Sequence, residues 1–310
     1  MIKLIAILVL FNTGSVSAAG RPPALADISA ASIGGADVPG LDWNVVPAAA
    51  APMRSDERYF NAYVLKAVDW LYANYKLLGY DIRYVLTHDI AYHTYGSVKA
   101  THAPLTMCVA AQMEVILTAY QLYAAETGDN SIYDHLPRKS FEGQSVNDIK
   151  GHIWVNPKFN SNGTADALIN FGMGERTIFE DLKPGSFVNI NRNTGTGHAV
   201  TFIGFIDAKG RIQPEHNANV VGFKYFSSQG GAAAGAGGFD FRYAVFEKFG
   251  CPEMPYKRDC NVIYSLKQNM LNTGTMLSPK FWTHQTPKPP GVLEDTVLDE
   301  RFFDGVTTDD

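Results

Sequence analysis

Apolar residues recur at helical spacing early in this chain and at every second position later on. That change of period restricts the fold more than any other feature. Tyr59, Phe60, Tyr63, Val64, Ala67, Trp70, Leu71 and Tyr75 mark a helix over residues 56–78, with Gly79 as its stop. A second helix spans residues 104–125. Its polar stripe is only Glu114, Thr118 and Gln121, so most of its circumference is buried, and Pro104 suits its first turn. Between the helices, residues 82–86 read as a short strand ahead of a His- and Tyr-rich loop. From residue 176 the alternation is that of strands, over 186–190, 199–206, 220–226 and 239–246, with turn signals such as Asp207-Ala-Lys-Gly210 between them. Residues 130–175 are irregular apart from a short helix over 164–170, and the Gly- and Ala-rich run over 230–238 reads as a flexible spacer. Helices first and an antiparallel sheet second predict an α+β fold.

The flanks differ in composition from this central domain of residues 55–285. Residues 1–18 read as a secretory signal, with Lys3 at the positive end, an apolar core from Leu4 to Phe11, and the small residues Val16-Ser-Ala18 before a cleavage point. Residues 19–54 form an Ala/Pro-rich arm, and residues 286–310 an acidic tail. The reading predicts a secreted or periplasmic protein. No apolar run reaches the length of a bilayer span, which argues against stable membrane insertion. The net charge of −5 is mild and there is no block of Lys and Arg, so nucleic acid is not an expected partner.

Three cysteines are an informative odd number in an exported chain. Cys251 and Cys260, nine residues apart, are expected to form a disulfide that closes a short loop. Cys108 is then left over, near the start of the second helix, where the helix dipole favours a thiolate. His198 stands between Gly197 and an apolar strand, behind the permissive loop Arg192-Asn-Thr-Gly-Thr-Gly197. A thiol early in a helix and an imidazole at the mouth of a strand are the parts that cysteine-nucleophile catalysis requires. His88, Asp89 and His93, with His102 nearby, have metal-like spacing, but their Tyr-rich surroundings fit ordinary packing better. The glycine-rich run has no following Lys and no strand–helix context for a phosphate loop. Neither a metal nor a cofactor is expected.

The segment Leu182-Lys-Pro-Gly-Ser-Phe-Val188, followed by Gly197-His-Ala-Val-Thr-Phe-Ile-Gly204, resembles the strand pair of the NlpC/P60 and CHAP cell-wall hydrolases. The same strand with Val221-Gly-Phe-Lys-Tyr-Phe-Ser-Ser-Gln-Gly230 and Gly238-Phe-Asp-Phe-Arg-Tyr243 is similar to the C-terminal half of papain. The resemblance covers residues 104–125 and 178–246 and implies a papain-like or NlpC/P60-like fold, with a central nucleophile helix packed on an antiparallel sheet. It assigns Cys108 as nucleophile and His198 as general base and acid. It places Ser227 where papain carries the orienting Asn, with Gln229 as a substitute, and His102 where papain carries its oxyanion Gln. A tight turn over residues 207–210 would instead bring Asn217 or Asn219 opposite His198. Val109 stands where papain has Trp, and Ser186 where the cell-wall hydrolases have Asp. The implied activity is hydrolysis of an amide bond through an acyl-enzyme, on a peptide or peptidoglycan substrate. A secreted cysteine protease, a transglutaminase-like acyl transferase, and a catalytically inactive binding module use the same scaffold. Removing His198, placed at a strand end, is expected to leave folding nearly unchanged.

Overall fold

The computed structural model describes residues 57–135 and 161–283. The expected leader, the Ala/Pro-rich arm and the acidic tail lie outside these residues. The described chain is a mixed α+β structure. Helix α1 (Asn61–Tyr75) is shorter at both ends than its apolar spacing predicts. Its flanks pair elsewhere: Phe60 N donates to Met276 O, and Leu77 N to Phe239 O. Residues 82–86 are not a strand, because Asp81 turns the chain there. Its carbonyl accepts from Tyr84 N and its side chain from Arg83 N. A two-residue hairpin follows, β1 (Ile90–Ala91) with β2 (Ser97–Val98).

Helix α2 (Cys108–Thr127) begins four residues later than predicted, so Pro104 is not in its first turn. The approach is held as irregular chain, with Leu105 N donating to His102 O and Thr106 O accepting from Ser228 Oγ. Thr106 Oγ1 accepts from Leu86 N. The helix ends at Gly128, which adopts the left-handed conformation with φ 75° and closes onto Ala124 O. Helices α3 (Ile132–His135) and α4 (Thr164–Asn170) are short, the latter where sequence places it.

Eight strands follow: β3 (Gly174–Arg176), β4 (Phe187–Asn191), β5 (Gly197–Ile206), β6 (Ile212–Gln213), β7 (Gly222–Gly230), β8 (Gly237–Phe246), β9 (Arg258–Val262) and β10 (Leu271–Met276). Their order is β3-β10-β4-β5-β7-β8-β9, with β6 paired to β5. The pairs are antiparallel except β8 with β9, which is parallel. The far edge then returns to β4. Arg192 bridges Val262, Asn193 N donates to Asn261 O, and Ile263 N donates to Asn191 O. The run β4-β5-β7-β8-β9 therefore closes on itself as a small barrel. Its interior is apolar, with Val188, Ile190, Val200, Phe202, Phe223 and Ala244 buried there. Alternate residues on the outer surface, among them Phe187, Ala199, Phe226 and Phe239, bury themselves in the cluster formed by α1 and α2. Burial on both faces is why these strands carry so many apolar residues in sequence.

The glycine-rich run is not a free spacer. It forms the β7–β8 hairpin end and is clamped to the chain after α1: Gly79 N donates to Gly237 O, Tyr80 N to Gly231 O, and Gly235 N to Leu77 O. Gly238, at φ 113°, lies so close that a Cβ there would meet the backbone nitrogens of Leu78 and Gly79 at 2.8 and 2.9 Å. Cys251 and Cys260 are joined in a disulfide as expected, but Cys260 lies on β9 and not in a loop.

Candidate active site

Cys108 is the first residue of α2, so its thiol stands at the positive end of a 20-residue helix. It lies outside the disulfide and is buried, at 4% exposed. His198 is the second residue of β5 and is 3% exposed. It is therefore not a surface group. Closure of the barrel, through a strand that sequence reads as loop, encloses it.

The pairing between β5 and β7 runs from Ile206↔Gly222 to Thr201↔Phe226 and stops there. Beyond it the residues 198–200 and 227–229 are linked by side chains. His198 Nε2 and Gln229 Oε1 lie 3.0 Å apart. Gln229 Nε2 donates to Asp240 O at 3.1 Å, which fixes the amide with its oxygen toward the ring. The imidazole Nε2 is then the donor, which leaves the lone pair on Nδ1. Ser227 takes another role: its hydroxyl donates to Ala199 O at 2.7 Å. Of the two candidate orienters, Gln229 is the one that holds the ring. Asn217 and Asn219 are exposed and bond to one another, because the observed register puts β7 and not residues 217–219 alongside β5.

Gln112 enters this opening from α2, one turn beyond Cys108. It is fully buried, and its Nε2 donates to Ala199 O at 3.2 Å and to Ser227 Oγ at 3.4 Å. Its Oε1 accepts from Thr201 Oγ1 at 2.6 Å. On the other side of Cys108, Thr106 O accepts from Ser228 Oγ at 2.9 Å. The residues flanking Cys108 are thus bonded to the residues next to His198 and Gln229. His102 lies on the exposed approach to the helix, its ring stacked on Tyr84 at 4.5 Å.

Within the barrel, the end that carries His198 is polar. Its ring meets the Tyr225 ring edge-on at 5.8 Å. Tyr225 Oη and Arg192 Nη2 each donate to Asp259 Oδ2 at 2.7 Å. Burial alone would raise the Asp259 pKa. The charge and hydrogen bond of Arg192, the charge of His198 and the Tyr225 hydroxyl outweigh it and hold the carboxyl below its ordinary range. Sequence reasoning missed Asp259 because its strand, Arg258-Asp-Cys-Asn-Val262, has no apolar alternation. It missed Gln112 too, although a polar residue four positions after Cys108 in an apolar helix was a usable signal.

The histidines with metal-like spacing are engaged separately. His88 stacks on Tyr75 at 4.3 Å, Asp89 bonds to Lys99 and to Ala100 N, and His93 stacks on Tyr133. His88 instead belongs to a buried relay with Glu114. Thr87 N donates to Glu114 Oε1 at 3.0 Å, Thr87 Oγ1 to Oε2 at 2.6 Å, and Thr87 Oγ1 contacts His88 Nδ1 at 2.9 Å. Burial pushes Glu114 up to about 7, against hydrogen bonds from Thr87 and Thr106 that lower it. Burial pushes His88 down to about 4. The 3.7 Å approach of His88 Nδ1 to Glu114 Oε2 is therefore not an ion pair at neutral pH.

These two shifts act in opposite directions on stability. The raised Glu114 contributes stability that is complete below pH 4.5 and is lost as pH rises through about 7. The depressed His88 contributes stability that is complete above pH 6.5 and is lost as pH falls through about 4. Each is worth up to about 3 kcal/mol. The stability difference between wild type and Glu114→Gln, from chemical denaturation at a series of pH values, is expected to grow in favour of wild type as pH falls from 7 to 4.5. A difference independent of pH would show that Glu114 does not titrate in that window.

Comparison of this chain with family models, curated proteins and solved structures found no match. Among the described residues no helix is long and apolar enough to cross a membrane.

Proposed function

We propose that this protein is an exported cysteine hydrolase with a papain-like or NlpC/P60-like fold, which cuts amide bonds in peptidoglycan peptides through an acyl-enzyme. One observation carries the reading: the bonds from Thr106 to Ser228 and from Gln112 to Ala199 tie the start of α2 to the strand ends that bear His198 and Gln229. The helix dipole favours the Cys108 thiolate, and Gln229 fixes the imidazole tautomer whose Nδ1 takes the thiol proton. The thiolate attacks the carbonyl carbon and the pair of electrons moves to oxygen. The oxyanion is stabilised by the Cys108 N–H; His102, the expected second donor, is exposed and stacked on Tyr84. Collapse expels the amine, which takes its proton from His198. Water, deprotonated by the same imidazole, then releases the acid and restores the thiol.

Export is supported by the leader-like residues 1–18 and by the Cys251–Cys260 disulfide, which suits an oxidising compartment. A second reading, a binding module on an inactive hydrolase scaffold, is favoured by the depth of the two groups, 4% and 3% exposed. Incubating purified sacculi with wild type and with Cys108→Ala separates them. Soluble muropeptides released by wild type alone support hydrolysis. Release by neither protein contradicts the peptidoglycan assignment, and release by both contradicts the role of Cys108.

A further inference from the structure

The barrel interior beside His198 holds a carboxylate that the proposed reaction does not yet use. Asp259 lies on β9, paired in parallel with Ala244 of β8. Its side chain is 10% exposed, and it accepts from Arg192 Nη2 and Tyr225 Oη. Arg192 comes from the turn between β4 and β5, where its own N–H donates to Thr196 O, two residues before His198. Tyr225 is the ring against which His198 packs. The strand holding Asp259 is secured on three sides: by β8, by the bridge from Val262 to Arg192, and by the disulfide at the next residue, Cys260.

We infer that Asp259 is a positioning residue that acts through His198, supplying the negative charge that lets a buried imidazole become imidazolium. The inference rests on the proposed role of His198 in catalysis. Gln229 and Tyr225 from β7 contact the ring; around Tyr225 lie Arg242 from β8, its cross-strand partner, Asp259 from β9 and Arg192 from the β4–β5 turn. Among the described residues, two guanidinium groups, Arg192 and Arg242, and one carboxylate, Asp259, act on Tyr225 at this enclosed end. Without the carboxylate, a protonated His198 would face both positive charges in a low-dielectric interior, and the thiolate–imidazolium state would be lost. Gln229 fixes which nitrogen carries the proton, and Asp259 makes the second proton tolerable.

The test is the titration of the His198 imidazole by NMR in the full chain, which reads the charge on the ring whatever Cys108 does. Asp259→Asn keeps the shape of the side chain and is expected to lower the His198 pKa by about 1 unit or more. Arg192→Gln removes a positive charge from the same cluster and is expected to raise it. Opposite shifts in the two variants support the inference. An unchanged His198 titration in folded Asp259→Asn, or shifts of the same sign in both variants, overturns it. Should Asp259→Asn not fold, the upward shift in Arg192→Gln still decides: its absence overturns the inference. Failure of the hydrolase reading is seen separately, as an ordinary alkylation rate of Cys108 in wild type.

Discussion

If the proposed hydrolase reading holds, replacing Cys108 with alanine is expected to lower amide hydrolysis by at least about 10⁴-fold, and replacing His198 with alanine by a similar factor. The two losses should not add. A thiolate without its imidazole, or an imidazole without its thiolate, retains only binding and oxyanion stabilisation, so the double variant should be no slower than either single one. The folding consequences differ. Cys108→Ala removes one sulfur from a buried helix start and should cost little. His198→Ala takes away a 3% exposed ring bonded to Gln229 and packed on Tyr225, leaving a buried amide oxygen without its donor. That costs about 1–3 kcal/mol. The expectation from sequence, that a strand-end histidine contributes little to folding, is thus corrected by the barrel that encloses it. Turnover of the purified variants on isolated sacculi, with denaturation curves for each, checks both halves. Activity surviving in Cys108→Ala, or a double variant slower by the product of the two factors, would contradict the shared mechanism.

The second large effect concerns Gln112. Its amide joins α2 to β5 and β7 with no water-exposed surface, donating to Ala199 O and Ser227 Oγ and accepting from Thr201 Oγ1. Gln112→Leu preserves volume and helix propensity and removes all of these bonds. Thr201 loses a hydrogen-bond acceptor, and Ala199 O and Ser227 Oγ lose a donor in a dry interior. The expected cost is about 4 kcal/mol. For a domain of this size that is a fall in Tm of roughly 8–16 °C. Gln112→Glu is expected to be no milder, since a buried carboxylate has no N–H to give to Ala199 O. The effect should reach the site as well, because the same amide holds the helix start beside the strand that carries His198. A Gln112→Leu variant within 1 kcal/mol of wild type would mean that the helix is held to the sheet by apolar packing alone.

Much of this arrangement is legible in sequence, and the reasons are physical. The strands β4, β5, β7 and β8 are legible because they are rich in apolar residues, one row of which is buried in the barrel and the other under the helices. The pairing of Cys251 with Cys260 is legible from the number and spacing of the cysteines. Gln229 is legible only as one of two candidates, because a shift of register by two residues carries Ser227 to the same face. The strands β9 and β10 are not legible. Leu271-Asn-Thr-Gly-Thr-Met276 has a polar centre with no apolar alternation, yet it lies between β3 and β4 with most of its polar side-chain atoms hydrogen-bonded internally. Asn272 Oδ1 accepts from Asp166 N, and Thr275 bonds with Ser186 and Thr177. A polar strand buried through side-chain bonds leaves no hydrophobic period to detect. Losing β9 from the sequence reading also loses barrel closure, and with it the burial of His198 and the presence of Asp259.

The start of α2 shows the same limit at a smaller scale. Pro104 is a reasonable first-turn residue by propensity. The bonds of Thr106 to Leu86 N and from Ser228 Oγ hold the approach in a non-helical path, so the helix begins at Cys108. Tertiary contacts override propensity here, and they move Cys108 to the position where the dipole is strongest.

The central claim is that Cys108 and His198 share a proton as a thiolate–imidazolium pair. The rate of alkylation of Cys108 by iodoacetamide in the folded protein, measured from about pH 4 to 10, tests it most directly. The account predicts a reactive plateau that persists well below the ordinary thiol pKa of about 8.5 and disappears in His198→Ala. A wild-type rate that rises only with ordinary thiol ionisation, or that follows unfolding of the protein, would contradict it.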